Sequence, residues 1–410
     1  MLRQVVCLCI VVIGMLGVSA QEEPVTYTVG EKFHDKYRYS NMLAIADDGN
    51  EGTVVVRAYY TGVILRPKGY FIEHYDKNLA LVSEYNYKLK DANFIEAYVR
   101  NGQVYLLFLE YNYNTASYQY EVHRSPFAQF QFSKETILSI PSDPVEQPLD
   151  RNFYNRDFSS GFTTSVLFND EQSAFAITTH YKKRKVDQHT IYVFDANLNK
   201  LMEHDFSDEV EEKNYAFENI VFSKDLKNVY LVGKAYFKKK RFNATERKFQ
   251  YEMVRISKTD RSVQSFYTPE KFPEALKPIF NGDKLLCVGF YADRKDNRYN
   301  GISYFKLNPV SLTIELSKFN PFSEQFMLDK FGREDDKAIK DLVFKGMDVT
   351  REGTILFNAE EYFTSSSTQT NSSGGRLMIT RYHHNDIISA KLSPTGDLVW
   401  ARNINKTEVT

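Results

Sequence analysis

Along most of this chain apolar and polar residues alternate with a period of two, in short runs rich in Val, Ile, Thr, Tyr and Phe that end on Asn, Asp, Gly or Lys. Such a period puts one side of each run against a core and the other toward water, which describes β-strands rather than helices. The turns suit hairpins: Asn101-Gly102, Asn281-Gly282, Asp47-Asp48-Gly49 and Thr395-Gly396-Asp397 supply residues that tolerate positive φ. A hairpin with an aromatic-rich second strand opens near Asn41, Asn93, Gly161, Ala216, Ala275 and Leu342. Another follows each of them, near Tyr70, Tyr118, Thr190, Gln250, Gly301 and Asp386. Four strands repeated six times predict an all-β chain, a β-propeller of six four-stranded blades over residues 41–410. Tandem sandwiches would need about seven strands per domain, and a solenoid shorter and more regular coils. Residues 21–40 are too few for another blade and can add one strand, Val25 to Gly30, near the seam of the ring. The alternative is a seven-bladed plan that lacks one blade and keeps an open edge.

The repeat, with its closing stretch from Asp386 to Lys406, is similar to exported propeller-like proteins of the Bacteroidetes type. That resemblance covers nearly all of the chain after residue 20 and implies a fold and a compartment, not an activity. The first residues agree on the compartment. Arg3 precedes an uncharged apolar run from Val5 to Val18, and Val18-Ser19-Ala20 offers small residues before Gln21, so residues 1–20 are expected to be a cleaved signal peptide. The expected location is the periplasm or the outer surface, with no transmembrane segment after cleavage. A lipoprotein reading would acylate Cys7 or Cys9, but both sit inside the apolar run. Only Cys287 then remains, in the strand pattern Lys284 to Phe290, where a buried small hydrophobe is expected.

Charge is balanced, 52 Lys and Arg against 53 Asp and Glu, which gives no reason to expect a nucleic acid partner. Local charge is another matter. In a propeller the loop between the second and third strands opens on the same face as the loop between blades. Three successive units put basic clusters in the former: Lys182, Lys183, Arg184 and Lys185; Lys238, Lys239, Lys240 and Arg241, with Arg247 and Lys248 beyond; Arg294 and Lys295, with Arg298. Neighbouring blades would join them into a basic arc for a protein or glycan at the cell envelope, held less tightly as salt rises. The loops between blades carry acids, Asp205 to Glu212 and Glu334 to Asp336, so the same charges can instead pair across the rim.

Catalytic spacing is sparse. Glu96, Glu218 and Asp341 fall on or beside first strands, where carboxylates at the mouth of a tunnel could serve a hydrolase or lyase acting on extracellular polysaccharide. Equally, such groups hydrate a channel. His383-His384 would point to opposite faces of a strand, and His180 and His189 would need opposed register to share an ion, so no metal is expected. Asp47 to Glu51 lacks the alternating acids of a calcium loop and reads as a turn. No phosphate-cradling glycine loop appears, and no cofactor is expected. Thr364 to Gly375 is low-complexity and polar, with the composition of a flexible hairpin loop. An exported binding or scaffold propeller is therefore the leading expectation, with the polysaccharide enzyme as its alternative.

Overall fold

The computed structural model describes Val29 and residues 39–61, 66–89, 93–143, 162–169, 172–183, 186–205, 213–237, 247–293, 298–332, 339–370 and 376–409. The signal peptide and the Val25 to Gly30 strand expected from the sequence lie outside them, Val29 apart. Among the described residues no helix is long and apolar enough to cross a membrane.

Six antiparallel sheets follow one another along the chain. The first holds β1 (Tyr39–Asp47), β2 (Thr53–Thr61), β3 (Arg66–Tyr75) and β4 (Leu81–Tyr87). The second holds β5 (Asn93–Arg100), β6 (Gln103–Asn112), β7 (Ser117–Pro126) and β8 (Ser133–Pro141). The third holds β9 (Phe162–Phe168), β10 (Ala174–Lys183), β11 (Val186–Asp195) and β12 (Lys200–Asp205). The fourth holds β13 (Lys213–Phe222), β14 (Val229–Phe237), β15 (Phe249–Ile256) and β16 (Arg261–Ser265). The fifth holds β17 (Lys271–Asn281), β18 (Lys284–Asp293), β19 (Tyr299–Leu307) and β20 (Ile314–Pro321). After a short helix, α1 (Glu324–Phe331), the sixth holds β21 (Leu342–Val349), β22 (Ile355–Thr370), β23 (Arg376–Leu392) and β24 (Leu398–Ile404), and β25 (Glu408–Val409) pairs with β23. Strand order within each sheet follows the chain, the up-and-down blade of a six-bladed β-propeller.

Two compact units are distinguished. One takes in the first sheet together with Glu96–Leu107 and His123–Lys134; the other takes in the remaining parts of the second sheet and everything from Glu135 onward. Within the second unit, β9, β13, β17 and β21 pack in succession, so the first strands of the later blades are neighbours.

The core of this unit lies between blades. Val229 and Leu231 of β14 pack toward the third sheet with Ala174, Ala176, Ile191 and Val193. The intervening Tyr230 and Val232 pack toward the fifth with Leu285, Cys287, Phe305 and Leu307. From β18, Leu286, Val288 and Phe290 turn instead to Ile355, Phe357, Ala359 and Ile388 of the sixth sheet. Middle strands of the fourth and fifth sheets are thus apolar on both faces, and β18 is buried without a break from Leu285 to Ala292, whereas in the sixth sheet Leu356 and Asn358 of β22 are exposed. Fourth strands are the reverse, as in β8, where Ser133 to Thr136 are all exposed.

Several local expectations meet their geometry here. Asn101 and Gly102 both have positive φ, 50° and 70°, as their tight turn requires. Asp48 closes its turn by accepting from the backbone N–H of Asn50 at 2.7 Å and of Gly52 at 2.8 Å, which makes the Asp47 to Glu51 segment a turn. Helix α1 was not foreseen, although Ser323 caps its N-terminus, accepting from the Phe326 N–H, and Gly332 ends it at φ 71°. Thr364 to Gly375 is corrected in part. Thr364 to Thr370 are not loop but strand, paired from Thr364↔Tyr382 to Thr370↔Arg376, because hydroxyl side chains can bond across the ladder, as Ser366 does with Thr380 at 3.2 Å and Ser365 with His383 at 2.8 Å. Residues 371–375 lie outside the described residues.

Cys287 is fully buried, and that burial pushes its thiol well above the usual range. In protein beginning at Gln21 it should therefore resist a thiol reagent in the native state and react as one thiol per chain after denaturation. Rapid native labelling would mean that the fourth and fifth sheets part readily. Glu360 offers a second check: burial opposes its charge, but hydrogen bonds from Lys406, Lys345 and His384 outweigh it and bring the carboxyl down to about 2. The stability so gained is present above the unfolded value of about 4.5 and is lost as pH falls toward 2. Acid unfolding over that window should be steeper in the wild type than in Glu360→Gln, and equal slopes would remove Glu360 from the balance.

Candidate functional site

The first strands of four sheets carry a bulge. An extra residue interrupts the register at Leu43 in β1, Glu218 in β13 and Lys345 in β21, and in β17 Ala275 and Leu276 together stand opposite Gly289. A bulge bends its strand and re-aims the side chains around it. In the fourth and fifth sheets the facing residue on the second strand must be glycine. A Cβ on Gly233 would lie 2.2 Å from the Ala216 carbonyl oxygen, and one on Gly289 would lie 2.8 Å from that of Glu274.

The bulges of β13, β17 and β21 border a cavity of about 670 Å³ across the fourth, fifth and sixth sheets, wholly within the second unit. It sits where first strands begin, second strands end and third strands begin, the end at which the sequence put its basic loops. Glu218 and Asn219 come from β13, Lys234 from β14, Phe249 and Tyr251 from β15, and Glu274 and Ala275 from β17. Arg247, Tyr299, Lys340, Asp341, Phe344 and Tyr362 complete most of the wall.

Its acids are mostly engaged. Glu218 takes an ion pair from Lys234 at 2.7 Å and a hydrogen bond from the Tyr251 hydroxyl at 2.7 Å. That hydroxyl in turn accepts from the Ala275 N–H at 2.9 Å, so one phenol ties the bulge of the fifth sheet to the carboxylate of the fourth. Asn219 adds a second tie, donating to the Leu276 carbonyl at 3.0 Å. Glu274 receives Arg247 at 3.0 Å, and the Arg247 guanidinium lies 4.2 Å from the centroid of the Phe272 ring.

Titration follows from this packing. Burial pushes the Tyr251 phenol well up, and the charge on Glu218 pushes it further, so it stays protonated as a donor. Burial opposes the charge on Lys234, but Glu218 outweighs it and raises the ammonium above its ordinary range. Glu274 is raised by burial, against the pull of Arg247 and Lys234. The site thus holds charge in compensated pairs beside aromatic surface.

Of the carboxylates singled out from sequence, Glu218 and Asp341 share this cavity. Glu96 belongs to the first unit, where its carboxylate accepts from the Ala97 N–H at 3.0 Å and is raised by burial. Glu274, Lys234 and Tyr251 were missed. Glu274 lies just before the expected strand opening at Ala275, whereas β17 begins four residues earlier, at Lys271. The basic arc is hardly visible. Arg184, Lys185, Lys238, Lys239, Lys240, Arg241, Arg294 and Lys295 lie outside the described residues, and of Lys182 and Lys183 only the backbone is described, at the end of β10. Arg247, beyond the second cluster, does face the cavity.

The histidines behave as side chains of strands. His180 and His189 are opposed in register, but their rings stack at 4.0 Å with 12° between planes, which keeps in-plane nitrogens from converging on one ion. His383 stacks on Phe363 while His384 bonds Glu360 at 3.0 Å, on the other face. No group of three or more metal-ligating side chains occurs among the described residues.

No protein-family model and no curated protein matches the chain. Among solved structures it is similar to the β-propeller domain of the Trilobed protease from Pyrococcus furiosus, at 9% identity over 91% of this chain and 93% of that one, TM-score 0.38. A structure from a study of two prolyl endopeptidases matches at 9% identity over 84% of this chain and 46% of that one, TM-score 0.41. The Bombyx mori GH32 β-fructofuranosidase BmSUC1 matches at 11% identity over 89% and 79%, TM-score 0.31. Likenesses this distant say nothing of what this cavity binds.

Gly233→Ala should cost about 1–3 kcal/mol, because only backbone atoms could move aside. The check is a lower denaturant midpoint at unchanged slope, and an unchanged midpoint would show that the bulge yields freely. Tyr251→Phe leaves the Ala275 N–H and Glu218 each short of a partner and should cost about 1–3 kcal/mol by the same measurement.

Proposed function

We propose that this is an exported binding protein whose cavity across the fourth, fifth and sixth blades holds a carbohydrate. The observation that carries this reading is the character of the wall. Half-buried Phe249, Phe344 and Tyr362 bring aromatic surface to the wall, while its acids Glu218 and Glu274 are held in place by Lys234 and Arg247. Sugars present the complementary surface, with C–H patches that cover aromatic rings and hydroxyls that both donate and accept. A volume of about 670 Å³ suits a short oligosaccharide. The uncharged apolar run from Val5 to Val18, followed by Val18-Ser19-Ala20, has the pattern of a signal peptide and supports an envelope or extracellular setting.

A second reading, a hydrolase or lyase on the same saccharide, is favoured by one observation. Glu274 is raised by burial, as a proton donor requires, and the carboxylate of Asp341 is exposed in the same cavity. Against it stands the Arg247 ion pair, which favours the charged form of Glu274.

A glycan array probed with the chain from Gln21, followed by calorimetry on the retained glycans, tests the first reading. Phe249→Ala and Tyr362→Ala should each weaken binding roughly 2- to 12-fold, the range expected for one aromatic contact. No retained glycan, or affinities unmoved by both changes, would overturn it. Product release from a bound oligosaccharide that disappears in Glu274→Gln and Asp341→Asn would carry the second reading instead.

A further inference from the structure

Not all the charged side chains that line the cavity are engaged alike. Four cations line it, Lys234, Arg247, Lys277 and Lys340, against three carboxylates, Glu218, Glu274 and Asp341. Lys234 and Arg247 are taken by Glu218 and Glu274. At the sixth sheet the pattern changes. Among the described residues, the ammonium of Lys340 and the carboxylate of Asp341 make no hydrogen bond or ion pair.

The backbone that carries these two residues is fixed. Ile339 is 2% exposed and its carbonyl accepts from the Tyr299 N–H at 2.8 Å, which ties it to β19. Asp341 has φ 57°, a left-handed conformation that aspartate tolerates better than most residues, and its carbonyl accepts from the Tyr362 N–H at 2.9 Å, which ties it to β22. A cation and an anion on adjacent residues are therefore presented from a segment clamped on both sides, next to the rings of Phe344 and Tyr362. Where polar groups at a cavity wall have no protein partner and a rigid support, a ligand that supplies both partners gains charge-assisted bonds with little ordering cost.

We infer that the ligand is an acidic saccharide, its carboxylate received by Lys340 and a hydroxyl of the same or the next ring donating to Asp341. This rests on the carbohydrate reading and narrows it. A neutral sugar would leave the Lys340 ammonium without an anion, and an anion lacking hydroxyls would meet the Asp341 carboxylate with nothing to donate.

The test is calorimetric titration of the chain from Gln21 with a uronic-acid trisaccharide and with the matching neutral trisaccharide. The acidic sugar should bind at least ten-fold more tightly in low salt, with the margin shrinking as salt rises. Lys340→Gln should weaken the acidic sugar at least ten-fold and so abolish the preference, and Asp341→Asn should weaken both sugars. Equal binding of the two sugars by the wild type overturns the inference and leaves the carbohydrate reading standing. No binding of either overturns both. A preference that survives Lys340→Gln overturns the assignment of the anion to Lys340.

Discussion

Burial of both faces of the middle strands in the fourth and fifth blades is the condition on which this part of the structure depends. A strand such as β18 gives alternate side chains to different neighbours, so the fourth and fifth blades each stand between two apolar interfaces and supply half of each. Nothing else holds the blades by covalent means, because the one cysteine that follows residue 20 is itself part of such an interface. Stability in this arrangement is close to a sum of neighbouring contacts, and damage at one interface is felt chiefly by the two blades that share it.

The cavity grows from the same arrangement. First strands of successive blades lie close together, and where they bulge their side chains leave the pairing register and meet across the boundary between sheets. Tyr251 and Asn219 stitch that boundary with hydrogen bonds, and Lys234 and Arg247 hold the acids in compensated pairs. Polar groups so tied are poor free acids or bases but good fixed recognition elements, which is why binding is the stronger reading. The segment from Ile339 to Asp341 differs: its backbone is tied to β19 and β22, and among the described residues the side chains of Lys340 and Asp341 make no hydrogen bond or ion pair.

The architecture was legible because its physics is local. Period-two alternation, Asn-Gly turns and continuous apolar middle strands such as Leu285 to Ala292 follow from which faces are wet and which are dry. Glu218 and Asp341 were legible as site residues for a weaker reason, their place on or beside first strands. Glu274, Lys234 and Tyr251 were not, because a bulge adds one residue without changing the apolar pattern, and a side chain such as Tyr251 reads from sequence as ordinary core. The Ser and Thr run from Thr364 to Thr370 misled in the opposite sense: its composition suggests a loop, but pairing with the strand beyond supplies the order that composition lacks. Helix α1 carries a proper Ser323 cap and Gly332 stop, yet at eight residues it is too short to impose a helical period on an all-β chain.

The bulge has one more consequence. Its extra residue has no partner across the ladder, so its identity is free of the register that constrains every other position in the strand. Leucine occupies it in the first blade, glutamate in the fourth and lysine in the sixth, with the pairing on either side intact. In two of these blades the side chain at that position is drawn into an ion pair, Glu218 with Lys234 and Lys345 with Glu360. A strand built this way can exchange the contact it makes at that one position by a single substitution while the pairing of its sheet stays the same.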